Sequence, residues 1–171
     1  MSPSCEIRND GMDVDVIHRY LSEESYWARG IPREVVERSI RSSLCFGAFE
    51  NGAQVGFTRV ITDRATFAYI ADMFVLPSHR GRGISKQLMQ AVMAHPELQG
   101  LRRWHLSTVD AHGLYAQFGF APLEWPERHM GRLARDPYGA SRRVIELSSR
   151  RVVELSSSRS RLIGTSSPSK T

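Results

Sequence analysis

Arg80, Gly81, Arg82, Gly83, Ile84, Ser85 and Lys86 form the stretch of this chain best suited to chemistry. Two glycines, one residue apart, let backbone N–H groups come close to a ligand with no Cβ in the way. An apolar stripe of helical spacing (Ile84, Leu88, Ala91, Val92) begins directly behind them, so the run sits at a helix start. There the first N–H groups lack intrahelical partners and the helix dipole favours negative charge, which makes an anion cradle. Arg80, Arg82 and Lys86 add cations suited to phosphates. The run is neither a P-loop nor a dinucleotide fingerprint: G-x-x-x-x-G-K-S/T is absent and a third glycine is missing.

Other chemistries find little support. The chain has no Ser/His/Asp order and no G-x-S-x-G elbow to indicate a hydrolase. Metal-ligand spacing is absent, so no metal is expected. Cys5 and Cys45 are too few and too far apart for a disulfide framework, and Cys45 in "SSLCFGAF" reads as a small buried hydrophobe on a strand.

The elements that must position the cradle follow from period and punctuation. "CEIRND" is a short strand, and "DVDVIHRYLSEES" is a helix with Val14, Ile17 and Leu21 on one face and Asp13 as N-cap. "IPREVVERSIRSS" is a second helix opened by Pro32. "LCFGAFE" turns at Asn51-Gly52 into "AQVGFTRVIT", a hairpin, and "TFAYIADMFVLP" runs as a strand to Pro77. After the helix behind the cradle come a strand in "LRRWHLSTV", a short helix in "DAHGLYAQFGF" capped by Asp110, and two last strands in "FAPLEW" and "HMGRLA". The order is β-α-α-β-β-β-α-β-α-β-β, a mixed α/β sheet with helices on its faces.

The formal charge of +5 invites a nucleic-acid partner, but its distribution argues against one. Residues 1–131 carry 14 Lys+Arg against 15 Asp+Glu, whereas residues 132–171 carry 9 against 3. The basicity belongs to the tail. Residues 1–135 are therefore expected to be the folded domain. Residues 136–171 are expected to be a flexible, basic Ser/Arg-rich tail, in which "RRVIELSS" is followed by "RRVVELSS". No stretch approaches the ~18 apolar residues of a membrane span. With the polar start "MSPSCEIRND", a soluble cytoplasmic protein is expected.

With the strand before it, "YIADMFVLPSHRGRGIS" resembles the acetyl-coenzyme A signature of the GNAT superfamily of N-acetyltransferases. Ser85 departs from that pattern's closing residue. "STVDAHGLYAQFGF" resembles the family's second block, with Ala111, Tyr115, Gly119 and Phe120 at matching spacing and Thr108 where the family often has Asn. The resemblance spans about residues 5–135 in element order. It implies a GNAT-like mixed, largely antiparallel central sheet flanked by helices, and acetyl-coenzyme A as co-substrate.

By that resemblance, Met73, Phe74 and Val75 would hydrogen-bond the pantetheine arm as an added strand. The backbone from Gly81 to Lys86 would cradle the diphosphate, with Arg80 and Arg82 secondary and Thr108 beside the cofactor. The oxyanion donor would be a backbone N–H near Phe74. Tyr115 matches the general acid toward sulfur, and a phenol of pKa near ~10 is protonated at neutral pH. Asp72 offers the one carboxylate on the reactive strand, either as the base or as a hydrogen-bonded strand-end residue. His112 is a second cleft candidate or an exposed helix residue, and His105 a weaker one.

The acceptor would lie against the first two helices and their loop. There "EESYWARGI" supplies Glu23, Glu24, Tyr26 and Trp27, a set suited to a cationic amine. A small-molecule amine is thus preferred over a protein lysine or N-terminus, and a homodimer is compatible with the reading. Two other classes stay open: a non-catalytic acyl-coenzyme A sensor, supported by the Thr108 and Ser85 departures, and a nucleic-acid binder working through the tail.

Overall fold

The computed structural model describes residues 5–134 and 137–138. The tandem repeat and nearly all of the basic tail lie outside the described residues. The elements are β1 (Glu6–Arg8), α1 (Val14–Arg19), α2 (Arg33–Arg41), β2 (Leu44–Glu50), β3 (Ala53–Thr62), β4 (Phe67–Val75), α3 (Ile84–Ala94), β5 (Arg103–His105) and α4 (His112–Ala116). The five strands lie in sequence order in one sheet. Pairing is antiparallel throughout except for the parallel β4–β5 pair. The mixed, largely antiparallel sheet with flanking helices is thus borne out.

Local chemistry accounts for most boundaries. The Asp13 carboxylate accepts from the N–H groups of Asp15 and Val16, capping α1. α1 then passes into a π-helical stretch, Tyr20–Glu24, in which Tyr20 and Leu21 are buried. Asn51 and Gly52 both take positive φ (51° and 81°), the turn that matches the twist of the β2–β3 hairpin. α3 lays Ile84, Leu88, Met89 and Val92 on a core that includes Phe46, Ala48, Val55 and Ile70. Burying one such side chain is worth roughly 1.5–3 kcal/mol, so this stripe holds the helix down. Cys45 is buried on β2, and burial pushes its thiol up to about 11.

Two expectations need correction. "FAPLEW" and "HMGRLA" form no strand; residues 120–134 hold only a short 3-10 turn, Pro126–Arg128. Pro122 removes a ladder donor from the first segment, and Pro126 directly after it opens the 3-10 turn. In the second, Met130 is 100% exposed and Leu133 93%, and the backbone from Met130 to Ala134 is in no regular element. The strand in "LRRWHLSTV" is also shorter than its alternation predicts, ending at His105. No helix among the described residues is long and apolar enough to cross a membrane.

Candidate active site

The decisive irregularity is in β4. Asp72 takes φ 53°, a left-handed conformation in the middle of a strand, where the β3–β4 register slips between Phe57 and Arg59. A bulge of this kind bends and twists the strand that carries it. On the opposite edge, β5 pairs β4 only at Phe67, Ala68 and Tyr69. Beyond Tyr69 that edge of β4 has no partner strand among the described residues. The Leu76 N–H bonds the Val55 carbonyl on the β3 side at 2.8 Å. Strand alternation therefore turns the backbone groups of Val75 and Met73 to the open edge and those of Phe74 inward. Of the three residues expected to pair an extended arm, two turn their backbone to the open edge and Phe74 does not.

The open edge leads to the glycine loop. Gly81 and Gly83 take φ of 74° and 77°, and a Cβ built on either would meet nothing within 4 Å. Gly83 is the N-cap of α3, and no side chain among the described residues caps that helix. Its first-turn N–H groups, on Ile84, Ser85 and Lys86, are left for an outside acceptor. These features fit a diphosphate. The two arginines do not reach into the cradle as side chains: Arg80 donates to the Val75 carbonyl (3.1 Å) and the Tyr20 hydroxyl (3.0 Å). Arg82 makes a two-pronged pair with Glu50. Lys86 is exposed and has no ion pair among the described residues. The loop's offer is therefore its backbone and Lys86, and the arginines hold the loop in shape.

At the other end of the open edge is a cleft of about 440 Å³. Tyr26, Trp27 and Tyr69 give it aromatic walls, and Met73, Thr108, Asp110 and Tyr115 also line it. Tyr115, on α4, is buried, and desolvation pushes its phenol up to about 12. It stays protonated at neutral pH, as a proton donor must. Trp27 is fixed by its indole N–H, which donates to Asp72 Oδ1 at 3.0 Å, and Tyr26 by its hydroxyl, which accepts from the Val109 N–H at 3.2 Å. Tyr20 stacks on Phe74 at 3.9 Å and lies 6.4 Å from Trp27, so the aromatic wall rests on the reactive strand.

Several sequence-derived roles change here. Asp72 lines the cleft, but both its oxygens are taken, Oδ2 by Arg59 at 2.5 Å and Oδ1 by Trp27. Of the two readings left open, the geometry favours the hydrogen-bonded strut over the base. Asp110 does not cap α4, whose first residue is preceded by Ala111 with no side-chain cap. Instead the Thr108 hydroxyl accepts from the Ala111 N–H at 3.0 Å. Thr108 therefore closes the turn into α4, and Asp110 is left facing the cleft with no hydrogen bond or ion pair among the described residues. His112 is exposed and absent from the cleft lining, as are Glu23 and Glu24. His105 lies against Phe67 and His129, away from the cleft. Among the described residues no cluster of three or more His, Cys, Asp or Glu could hold a metal.

Asp110, Tyr69 and Arg59 line the cleft without having stood out in the sequence as site residues. Only Asp110 left a signal: Thr108 three residues ahead of the Ala111 N–H is the spacing of a competing cap.

Comparison with known proteins accords with this geometry. Residues 41–122 match the family model described as "Acetyltransferase (GNAT) domain". A candidate acetyltransferase of Gibberella zeae is 33% identical over 128 residues, which cover 62% of this chain and 71% of the relative. The crystal structure of a candidate GNAT-family acetyltransferase from Xanthomonas campestris pv. campestris is 55% identical, with a TM-score of 0.77. The match covers 80% of this chain and 97% of that one. An aminoglycoside N-acetyltransferase in complex with CoA shares the fold at 21% identity and a TM-score of 0.57, over 79% of this chain and 97% of its own.

Proposed function

The chain belongs to the GNAT family of acetyltransferases and is an acyltransferase; from that premise we propose that it moves the acetyl group of acetyl-coenzyme A directly to a primary amine of a small cationic molecule. One observation carries the reading: among the described residues, a single unpaired strand edge runs from an uncapped glycine cradle to a cleft that holds a buried phenol and an unpartnered carboxylate.

The coenzyme's thioester supplies the activated acetyl group. Met73 and Val75 hold the pantetheine arm along the open edge of β4, and the N–H groups from Gly81 to Lys86 hold the diphosphate. Thr108 stands beside that arm through the turn it closes. A Phe74 N–H turned toward β3 cannot receive an oxyanion on the open edge, so the donor is the neighbouring Met73 or Val75 N–H. Tyr115 gives its proton to the departing sulfur.

On the acceptor side, Tyr26, Trp27 and Tyr69 present ring faces to a cation, and Asp110 supplies its counter-charge. Among the described residues the one cation lining the cleft, Arg59, is neutralised by Asp72, so their side chains offer no free cation to a carboxylate or phosphate on the acceptor. A carboxylate is a far weaker base than an alkylamine, so Asp110 passes the amine's proton on to solvent and does not keep it.

The test is release of free coenzyme A with a panel of amines. Cationic amines lacking a carboxylate should turn over, and α-amino acids should not. Tight acetyl-coenzyme A binding with no turnover on any amine, and identical binding by Tyr115→Phe, would establish the sensor instead.

A further inference from the structure

We propose that Glu50 is a positioning residue for the glycine loop, its carboxylate tying His79 and Arg82 to the end of β2 so that the loop's N–H groups are set outward before any ligand arrives. The proposal rests on the reading that this loop holds the coenzyme. Glu50 ends β2, where the Asn51-Gly52 turn and its pairing with Ala53 fix its place. Its side chain is only 8% exposed. Arg82 bonds both carboxylate oxygens, at 3.1 Å from Oε2 and closer at Oε1, and His79 Nε2 lies 3.2 Å from Oε2. The Arg82 hydrogen bonds, with help from His79, hold the Glu50 carboxyl below the usual range, so the strut is charged at neutral pH.

A carboxylate beside an anion cradle is the wrong charge for recognition, since it repels a phosphate and occupies a cation that could have met one. Its presence makes sense if the loop's shape matters more than its charge. Gly81 and Gly83 both sit at positive φ, and glycine loses more conformational freedom on being fixed than any other residue. Left free, the loop would have to be ordered at the expense of binding. Two side-chain anchors flank Gly81 from opposite sides: Arg82 reaches Glu50, and Arg80 reaches Tyr20 and the Val75 carbonyl. Between them the backbone has little room to move.

The test compares wild type, Glu50→Gln, Arg82→Gln and the double variant. Hydrogen–deuterium exchange at residues 79–86 is measured in coenzyme-free protein, and coenzyme A binding by calorimetry. Glu50→Gln keeps the side chain's volume and one acceptor. It should speed exchange in the loop about tenfold, leave β2 and β3 protected, and weaken coenzyme A about tenfold, which is the ordering of a few residues transferred to the binding step. KM for acetyl-coenzyme A should rise alike, with kcat changed by no more than about twofold, because the strut touches no reacting atom. The double variant should be no worse than Arg82→Gln, since the two residues act as one strut. Unchanged loop exchange with unchanged affinity in Glu50→Gln would overturn the proposal. So would additive losses in the double variant, which would put Arg82 on the ligand itself. If Glu50→Gln loses protection throughout the sheet, Arg82→Gln carries the same exchange prediction from a more exposed side chain, and a rigid loop there would also overturn it. Wild-type protein that fails to bind coenzyme A would defeat the functional reading, while the exchange comparison would still decide whether Glu50 fixes the loop.

Discussion

The glycine loop and the aromatic cleft are two ends of one strand edge built from different materials. The loop is contiguous, residues 79–86, and offers backbone N–H groups set by two positive-φ glycines and a helix start. The cleft is assembled from side chains far apart in sequence: Tyr26 and Trp27 after α1, Tyr69 and Asp72 on β4, and Asp110 and Tyr115 around α4. Backbone recognition suits a ligand that never changes, because any residue but proline can supply an N–H. Side-chain recognition suits the variable partner, because each ring or carboxylate can be exchanged without disturbing the fold. The bulge at Asp72 joins the two, bending β4 while holding Trp27 and Arg59.

This division should be visible in how variants fail. The largest effect is expected from Gly83→Asp, which puts a carboxylate at the N-terminus of α3 at φ 77°. Coenzyme A affinity should fall by about two orders of magnitude or more by calorimetry, since repulsion and the side chain both oppose the diphosphate. The fold should survive because the added Cβ meets nothing, with left-handed strain of about 1–2 kcal/mol read as a lowered Tm. Normal affinity in this variant would erase the loop's half of the comparison.

Tyr115→Phe should lower kcat about 10²–10⁴-fold by loss of general acid catalysis, with coenzyme A binding unchanged. The pH dependence has a definite sign. With the phenol at about 12 in the fold against about 10 in the unfolded chain, Tyr115 stays an acid across the neutral range and contributes no alkaline limb to kcat there. Between those two values the unfolded chain ionises first, so stability should fall as pH rises from about 10 to about 12, and Tyr115→Phe should flatten that fall.

Asp110→Asn and Trp27→Ala sharpen the acceptor side. Each should raise KM for a cationic amine roughly 5–30-fold, the loss of an ion pair or cation–π contact, and leave coenzyme A affinity within about twofold. Asp72→Asn adds a discriminating case. As a strut, its loss should act on amine KM more than on kcat, whereas a fall in kcat of about 10² or more would restore it as the base. The smallest effect is expected from truncation after residue 135. Coenzyme A binding within about twofold of full length would place the whole site in residues 1–135, and steeply salt-dependent DNA binding by the truncated protein would contradict the charge partition.

Much of this was legible in the sequence where the cause is local. Asn51-Gly52 specifies its turn, Asp13 caps α1, and Arg80 to Lys86 announce a glycine turn at a helix start, because each depends on the conformational preferences of adjacent residues. The roles of charged side chains were less legible. Sequence placed Arg80 and Arg82 at the cradle but could not show that Glu50, 32 positions from Arg82, had claimed one of them. It offered Asp110 as a cap of α4, whereas the turn is closed one step earlier, by the Ala111 N–H donating to the Thr108 hydroxyl.

What the sequence by itself determined is the order of elements through α4, the hairpin and the glycine turn at the start of α3, since periodicity and turn chemistry act over a few residues. The tertiary structure alone decided that β4 bulges at Asp72 and parts from β5 after Tyr69, which carboxylate is spent on Arg59 and which faces the cleft, and that the apolar segment after α4 forms no strand. Those outcomes turn on which side chains meet across long stretches of chain, and a charge or a strand edge takes its role from the partner that reaches it.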